Sequence, residues 1–178
     1  KALADVLEAS VSPELTMKLL SAALAGIPLL FGGFGCLVAG AISSRLMAGG
    51  ATVTKVRRGF ALVGFTGAAT LLMLSFYIKD PLLAMLSMGM ASFCNDLTIP
   101  GSWTTCMDVG GKFAGTVSGS MNMMGNFGGM AGPLVVGLVL QFSDRDWHLT
   151  FLISSVIYAL GGLCWLFIDP VTPLEDKA

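Results

Sequence analysis

Long uncharged stretches separated by short charged clusters set the pattern of this chain. No Asp, Glu, Lys or Arg occurs between Lys18 and Arg45, between Arg58 and Lys79, or between Lys112 and Asp144. A helix needs about 20 apolar residues to cross the hydrocarbon of a bilayer. Five segments qualify: Leu19–Ser44, Gly59–Ile78, Pro81–Cys106, Ala114–Gln141 and His148–Ile168. The pattern predicts an all-α, polytopic transmembrane helical bundle over residues 1–178, with short connections everywhere except Arg45–Arg58.

That exception sets an expected orientation. Arg45, Lys55, Arg57 and Arg58 stand there with no acid among them, and basic loops stay cytoplasmic by the positive-inside rule. Alternation then puts residues 1–18 and the turns Lys79–Asp80 and Ser143–Trp147 outside. The Met107–Phe113 turn and the tail Asp169–Ala178 fall inside. The tail carries Asp169, Glu175 and Asp176 against Lys177, but acids contribute little to the rule. Tyr77 and Trp147 fall at expected outer boundaries and Trp165 near an inner one, where aromatic belts form. The chain starts at Lys1, shows no signal peptide, and has an odd number of spans beginning outside. That combination is expected of a polypeptide lacking an upstream part.

Composition narrows the chemistry. Charged residues are 12% of the chain, against about a quarter in soluble domains, too few to cover a soluble surface. The 23 glycines suit a membrane, where small residues let helix backbones approach closely. Cys36, Cys94, Cys106 and Cys164 all lie in apolar runs and read as small reduced core residues. One histidine, His148, with no Cys/His pairing gives no metal site, and a net charge of −1 gives no reason to expect nucleic acid. No Ser/His or Cys/His set sits at a usable depth and no Walker sequence is present, so the chain does not read as an enzyme.

Polar residues inside the spans are the candidates for function. Asp96, beside Asn95, is the one acid well inside an apolar run, where a charge costs about 2.5–3.5 kcal/mol on insertion scales. It faces a cavity or partner as a functional group, or it is held by Asn95, Thr98 or a neighbouring helix for packing. Pro100 lacks an amide hydrogen and clashes with the preceding turn, so the helix is expected to kink or open there. Broken backbone at membrane depth mainly lines cavities. Ser102, Trp103, Thr104 and Thr105 follow just below. Trp103 is either a cavity wall or an interface anchor.

In the fourth span Gly115, Ser118, Asn122, Asn126, Gly129, Pro133 and Gly137 recur at steps of three and four and share one helix face. Small residues alone suggest a packing seam. Two amides, each with donors and an acceptor to satisfy, favour cavity lining for Asn122 and Asn126. The row Ala25, Gly33, Cys36, Gly40 and Ser44 in the first span reads as close packing, with a bend at Pro28 and Gly32. No span interior carries Lys, Arg or His, so the countercharge for an anionic substrate must come from elsewhere.

These residues resemble a known family. Gly40-Ala-Ile-Ser-Ser-Arg45 with Lys55, Arg57 and Arg58 resembles the cytoplasmic loop signature of the major facilitator superfamily, with Ser44 in the acid position and Leu46–Thr54 inserted. The stretch Asn95-Asp-Leu-Thr-Ile-Pro-Gly-Ser-Trp-Thr-Thr-Cys-Met-Asp108, then Gly115–Gly129 and Gly132-Pro133, looks like helices ten and eleven of its anion:cation symporter family. The tail Trp165–Pro173 is similar to bacterial members. The resemblance covers nearly the whole chain as helices eight to twelve, a partial C-terminal half of a twelve-helix fold. It implies alternating access around a site near mid-membrane, with Ser102, Trp103 and Asn122 as substrate contacts and Asn126 a turn further. It does not mark Asp96 as a coupling acid, because the family's arginines and carboxylates lie mostly in the first half.

The expected function is proton- or sodium-coupled symport of a small organic anion such as a sugar acid, in a bacterial inner membrane, with no cofactor beyond the coupling ion. The missing N-terminal half of the same polypeptide is the expected partner. Two alternatives stand beside it: a transporter-like sensor that binds ligand without moving it, and a five-span half-transporter acting as a dimer.

Overall fold

Glycine and proline set where the helices stop. In the computed structural model, which describes residues 13–174, all regular structure is helical. Helix α1 (Pro13–Ala48) has 36 residues, about 54 Å at the standard rise, so it overruns a hydrocarbon core of about 30 Å. It ends in a Schellman motif: Ala51 N–H donates to the Leu46 carbonyl and Gly50 N–H to the Met47 carbonyl, both at 3.0 Å. Gly50 adopts the required left-handed backbone, φ 91°. Helix α2 (Val53–Tyr77) follows at once. The long basic loop expected at Arg45–Arg58 is therefore only a tight turn. Its cations ride on helix ends, because helical backbone continues past the apolar run while long basic side chains reach water.

The early start of α1 likewise replaces part of the expected outer loop with helix, where Lys18 pairs with Glu14 at 2.7 Å. Residues 1–12 of that loop, and Glu175, Asp176 and Lys177 of the tail, lie outside the described residues.

The third apolar run is two helices, α3 (Pro81–Asp96) and α4 (Ile99–Gly110). A 3-10 turn, Gly111–Phe113, leads into α5 (Ala114–Phe142), and α6 (Trp147–Phe167) completes the order. Four stretches are long and apolar enough to cross a membrane, one of them the 62 residues Pro81–Phe142. That stretch folds back on itself: Cys106 Sγ of α4 lies 3.3 Å from Met121 Sδ of α5, which a straight helix could not allow.

Helix α3 sits between α1 and α2, and α2 packs its other side on α6. Small residues make these approaches close. Phe65 of α2 fills the space left by Gly161 and Gly162 of α6, and Ala61 and Ala68 of α2 are 1% and 0% exposed. Hydroxyls tie backbones together across the seams: Ser87 donates to the Leu71 carbonyl at 2.9 Å and Ser155 to the Ala69 carbonyl at 3.1 Å. Trp165, expected at a lipid boundary, is instead buried, because it lies on the packed side of α6.

Polar contacts gather at the two ends of the bundle. At one end Tyr77 Oη and His148 Nε2 are 3.1 Å apart. At the other, Arg57 donates to the Pro170 carbonyl at 2.6 Å and to Asp108 Oδ2 at 2.5 Å. Arg58 donates twice to the Ile168 carbonyl. The basic start of α2, the foot of α4 and the segment after α6 thus share one end, here called the basic end.

Candidate functional site at the α3–α4 break

Pro100 explains the break and its position. Without an amide hydrogen it leaves the carbonyl four residues back, that of Asp96, without a helical donor. In the structure Cys36 Sγ of α1 approaches that oxygen at 3.5 Å. Upstream the chain tightens: Leu97 N–H donates to Phe93, and Thr98 N–H and Oγ1 both donate to the Asn95 carbonyl. Helix resumes at Ile99, and Leu97 and Thr98 are buried. The discontinuity therefore lies at Leu97–Thr98, just before Pro100.

Four glycines from two helices enclose this segment. A Cβ on Gly35 of α1 would collide with the Phe93 carbonyl oxygen, and one on Gly64 of α2 would stand 2.5 Å from the Cys94 oxygen and 2.8 Å from Thr98 Cγ2. Gly67 would meet Cys94 Sγ at 2.8 Å, and Gly32 would overlap the Asp96 carboxylate. The packed face of α1 is thus Gly32, Gly35 and Ala39, all buried. The expected row through Gly33 and Gly40 is a residue out of phase, and both of those have open space where a Cβ would stand.

Asp96 is half-buried within this enclosure. One oxygen accepts from Asn95 Nδ2 at 2.7 Å and the other rests against Gly32. Among the described residues it has no cationic partner.

Directly below the break, toward the basic end, is a cavity of about 180 Å³ lined by Gly40, Ser44, Arg57, Pro100, Gly101 and Thr104, among others. Ser43 and Ser44 both turn their hydroxyls back to the Gly40 carbonyl. Of the loop signature, Gly40, Ser44 and Arg57 meet here. Arg58 holds the Ile168 carbonyl, and Arg45 is exposed.

The hairpin decides how the remaining candidates relate. Ser102 and Asn122 each stand nine residues from the Gly111–Phe113 turn, about 14 Å along their helices. Ser102 Oγ donates to the Thr98 carbonyl at 3.0 Å, and Trp103 is 38% exposed. Asn122 and Asn126 are exposed, with Asn126 Nδ2 donating to the Asn122 carbonyl at 2.9 Å. Gly115, Gly129 and Gly137 of the same row have nothing within 4 Å of a Cβ position, so the row is not a packing seam within this chain. Between α5 and α6 lies a cavity of about 310 Å³, lined by Ala131, Gly132 and Val136 of α5 and Thr150, Ile153 and Ile157 of α6. Asn95, Asp96 and Ser102 are thereby gathered at the break, while Trp103, Asn122 and Asn126 stand on open surface beside it. No group of three His, Cys, Asp or Glu side chains among the described residues could hold a metal ion.

Sequence reasoning missed Gly64 and Gly67 as parts of the enclosure and Asp108 as the partner of Arg57. The three-residue spacing of the two glycines was a usable signal. The long separation of Arg57 from Asp108 offered none.

No protein-family model matches the chain. Curated transporters do. A probable sulfoacetate transporter of Cupriavidus necator is 27% identical over 150 residues, 84% of this chain and 35% of that protein. The probable chloroplastic anion transporter 1 of Oryza sativa is 31% identical over 126 residues, 71% of this chain and 23% of the relative. A probable L-galactonate transporter of Escherichia coli is 25% identical over 146 residues, 82% of this chain and 32% of the relative. The chain spans about a third or less of the length of each. Over most of its length, then, this membrane chain is homologous to curated anion transporters.

Proposed function

We propose that the chain forms one wall of the central site of a secondary transporter for a small organic anion, such as a sugar acid. The observation that carries this reading is the helix discontinuity at Leu97–Thr98 inside an apolar run, beside the half-buried Asp96 and with Ser102 Oγ bonded to the Thr98 carbonyl. Homology to transporters of organic and inorganic anions supports the substrate class. Ser102, Asn122 and Asn126 would hydrogen-bond substrate hydroxyls or carboxylate, and the exposed face of Trp103 would cover its carbon skeleton. The absence of Lys, Arg and His from the span interiors leaves the countercharge to a segment of the polypeptide beyond this chain.

Coupling to H⁺ or Na⁺ is assigned to Asp96. Its carboxylate lies within an apolar span without a cationic neighbour among the described residues, and such groups act mainly in ion pathways. The basic end is assigned to the cytoplasm, on the weight of Arg45, Lys55, Arg57 and Arg58.

Uptake by the full-length protein in proteoliposomes tests the site. Asn122→Ala removes an amide that would bond a charged substrate, worth about 1.5–3 kcal/mol. KM for the transported anion should therefore rise about ten- to a hundredfold, with the amount of folded protein unchanged. Unaltered kinetics across a panel of sugar acids and sulfonates would remove Asn122 from the site.

A further inference from the structure

A second cavity at the basic end opens on the other side of Leu97 from the cavity described above. It is a groove of about 390 Å³ between the end of α1 and the start of α2, walled by Leu46, Phe60, Val63 and Leu97, with Lys55 and Gly59 on its α2 side. Lys55, Gly59 and Val63 recur every four residues, so the groove runs about 12 Å along one face of α2, from a charged mouth at Lys55 to an apolar depth at Val63. Gly59 keeps it open, since no atom lies within 4 Å of where its Cβ would stand. Val63 is 65% exposed.

Its lining and its charge both point to one occupant. A lining this apolar does not hold water, and the surrounding medium is lipid. Arg57 and Arg58 are engaged by Asp108, Pro170 and Ile168. Lys55 and Arg45 are exposed and have no acidic partner among the described residues. Of these two, Lys55 lines the groove. Positive charge left over by the fold therefore sits where the groove meets the membrane surface.

We propose that this groove seats one acyl chain of an anionic phospholipid from the leaflet on the basic side, with the phosphate held by Lys55. Leu97, the buried residue of the α3–α4 break, lines both this groove and the cavity containing Arg57. The lipid would thus touch the break directly from the membrane.

Native mass spectrometry of the full-length protein, offered equal amounts of phosphatidylglycerol and phosphatidylcholine with identical acyl chains, tests the proposal. Each cation near an anionic headgroup favours binding about fivefold. Phosphatidylglycerol adducts should exceed phosphatidylcholine adducts by at least that factor, and Lys55→Gln should reduce the preference about fivefold. Gly59→Leu, which fills the groove without meeting another atom at Cβ, should remove the preferred adduct. Glycerol phosphate at millimolar concentration should not displace the lipid. Equal retention of the two lipids by the wild type, unchanged adducts in a folded Gly59→Leu variant, or displacement by glycerol phosphate would each overturn it. Lys55 is exposed, so its variant keeps the test decisive even where Gly59→Leu does not fold.

Discussion

Replacing Gly64 with leucine is expected to leave little folded protein in detergent. The new Cβ would stand 2.5 Å from the Cys94 carbonyl oxygen and 2.8 Å from Thr98 Cγ2, and neither can yield cheaply. The first is backbone of α3. The second belongs to a threonine that is 4% exposed and bonded to Asn95. Overpacking of a well-filled seam costs about 1–3 kcal/mol and occasionally more, and the extra carbons of leucine put this variant at the upper end. Against a typical stability of about 5–15 kcal/mol, that is a large fraction. Gly64→Ala should be intermediate. Gly33→Ala is the matched control on α1, where open space surrounds the Cβ position and alanine favours a helix by about 0.5–1 kcal/mol. Thermal unfolding followed by size-exclusion chromatography should therefore rank Gly33→Ala at or above wild type, then Gly64→Ala, then Gly64→Leu. Equal melting of the two alanine variants would contradict the enclosure of the break.

Asp96→Asn is expected to separate transport from its driving force. The substitution is nearly isosteric, so it preserves the fit against Gly32, and an amide oxygen still accepts from Asn95 Nδ2. Folding should be close to wild type. What the variant loses is the exchangeable charge. Accumulation of anion under an imposed ion gradient should fall about tenfold or more, the effect of removing about 1.4 kcal/mol of coupling, while exchange of internal for external anion continues. Gradient-driven accumulation at the wild-type level would leave Asp96 with the bracing role alone, for which its contacts with Asn95 and Gly32 already provide.

Much of the fold was legible because the membrane makes it so. Uncharged runs of about 20 residues allow little besides a helix, and Pro100 announced a break within a few residues of where it lies. Two things were not legible, for physical reasons. The connection Arg45–Arg58 looks like a loop in the sequence because its charges mark the ends of two apolar runs. A helix ends instead where backbone hydrogen bonding is capped, here at Gly50. The packed face of α1 was displaced by one residue because composition cannot tell Gly32 from Gly33. The difference is made by Asp96 and Phe93 on another helix. Of the candidate site, the break and its neighbours Asn95, Asp96 and Ser102 were visible as polar residues in apolar surroundings. Their enclosure by Gly32, Gly35, Gly64 and Gly67 was not, since a glycine shows its purpose only when the atom that occupies its missing side chain is known.

Counterflow in proteoliposomes containing the full-length protein tests the central claim most directly. Vesicles loaded with an unlabelled sugar acid or sulfonate and diluted into a trace of the labelled anion should take up label transiently without any ion gradient. A transporter with alternating access must exchange substrate in this way. Saturable binding of the same anion without counterflow would contradict the account and identify a ligand sensor instead.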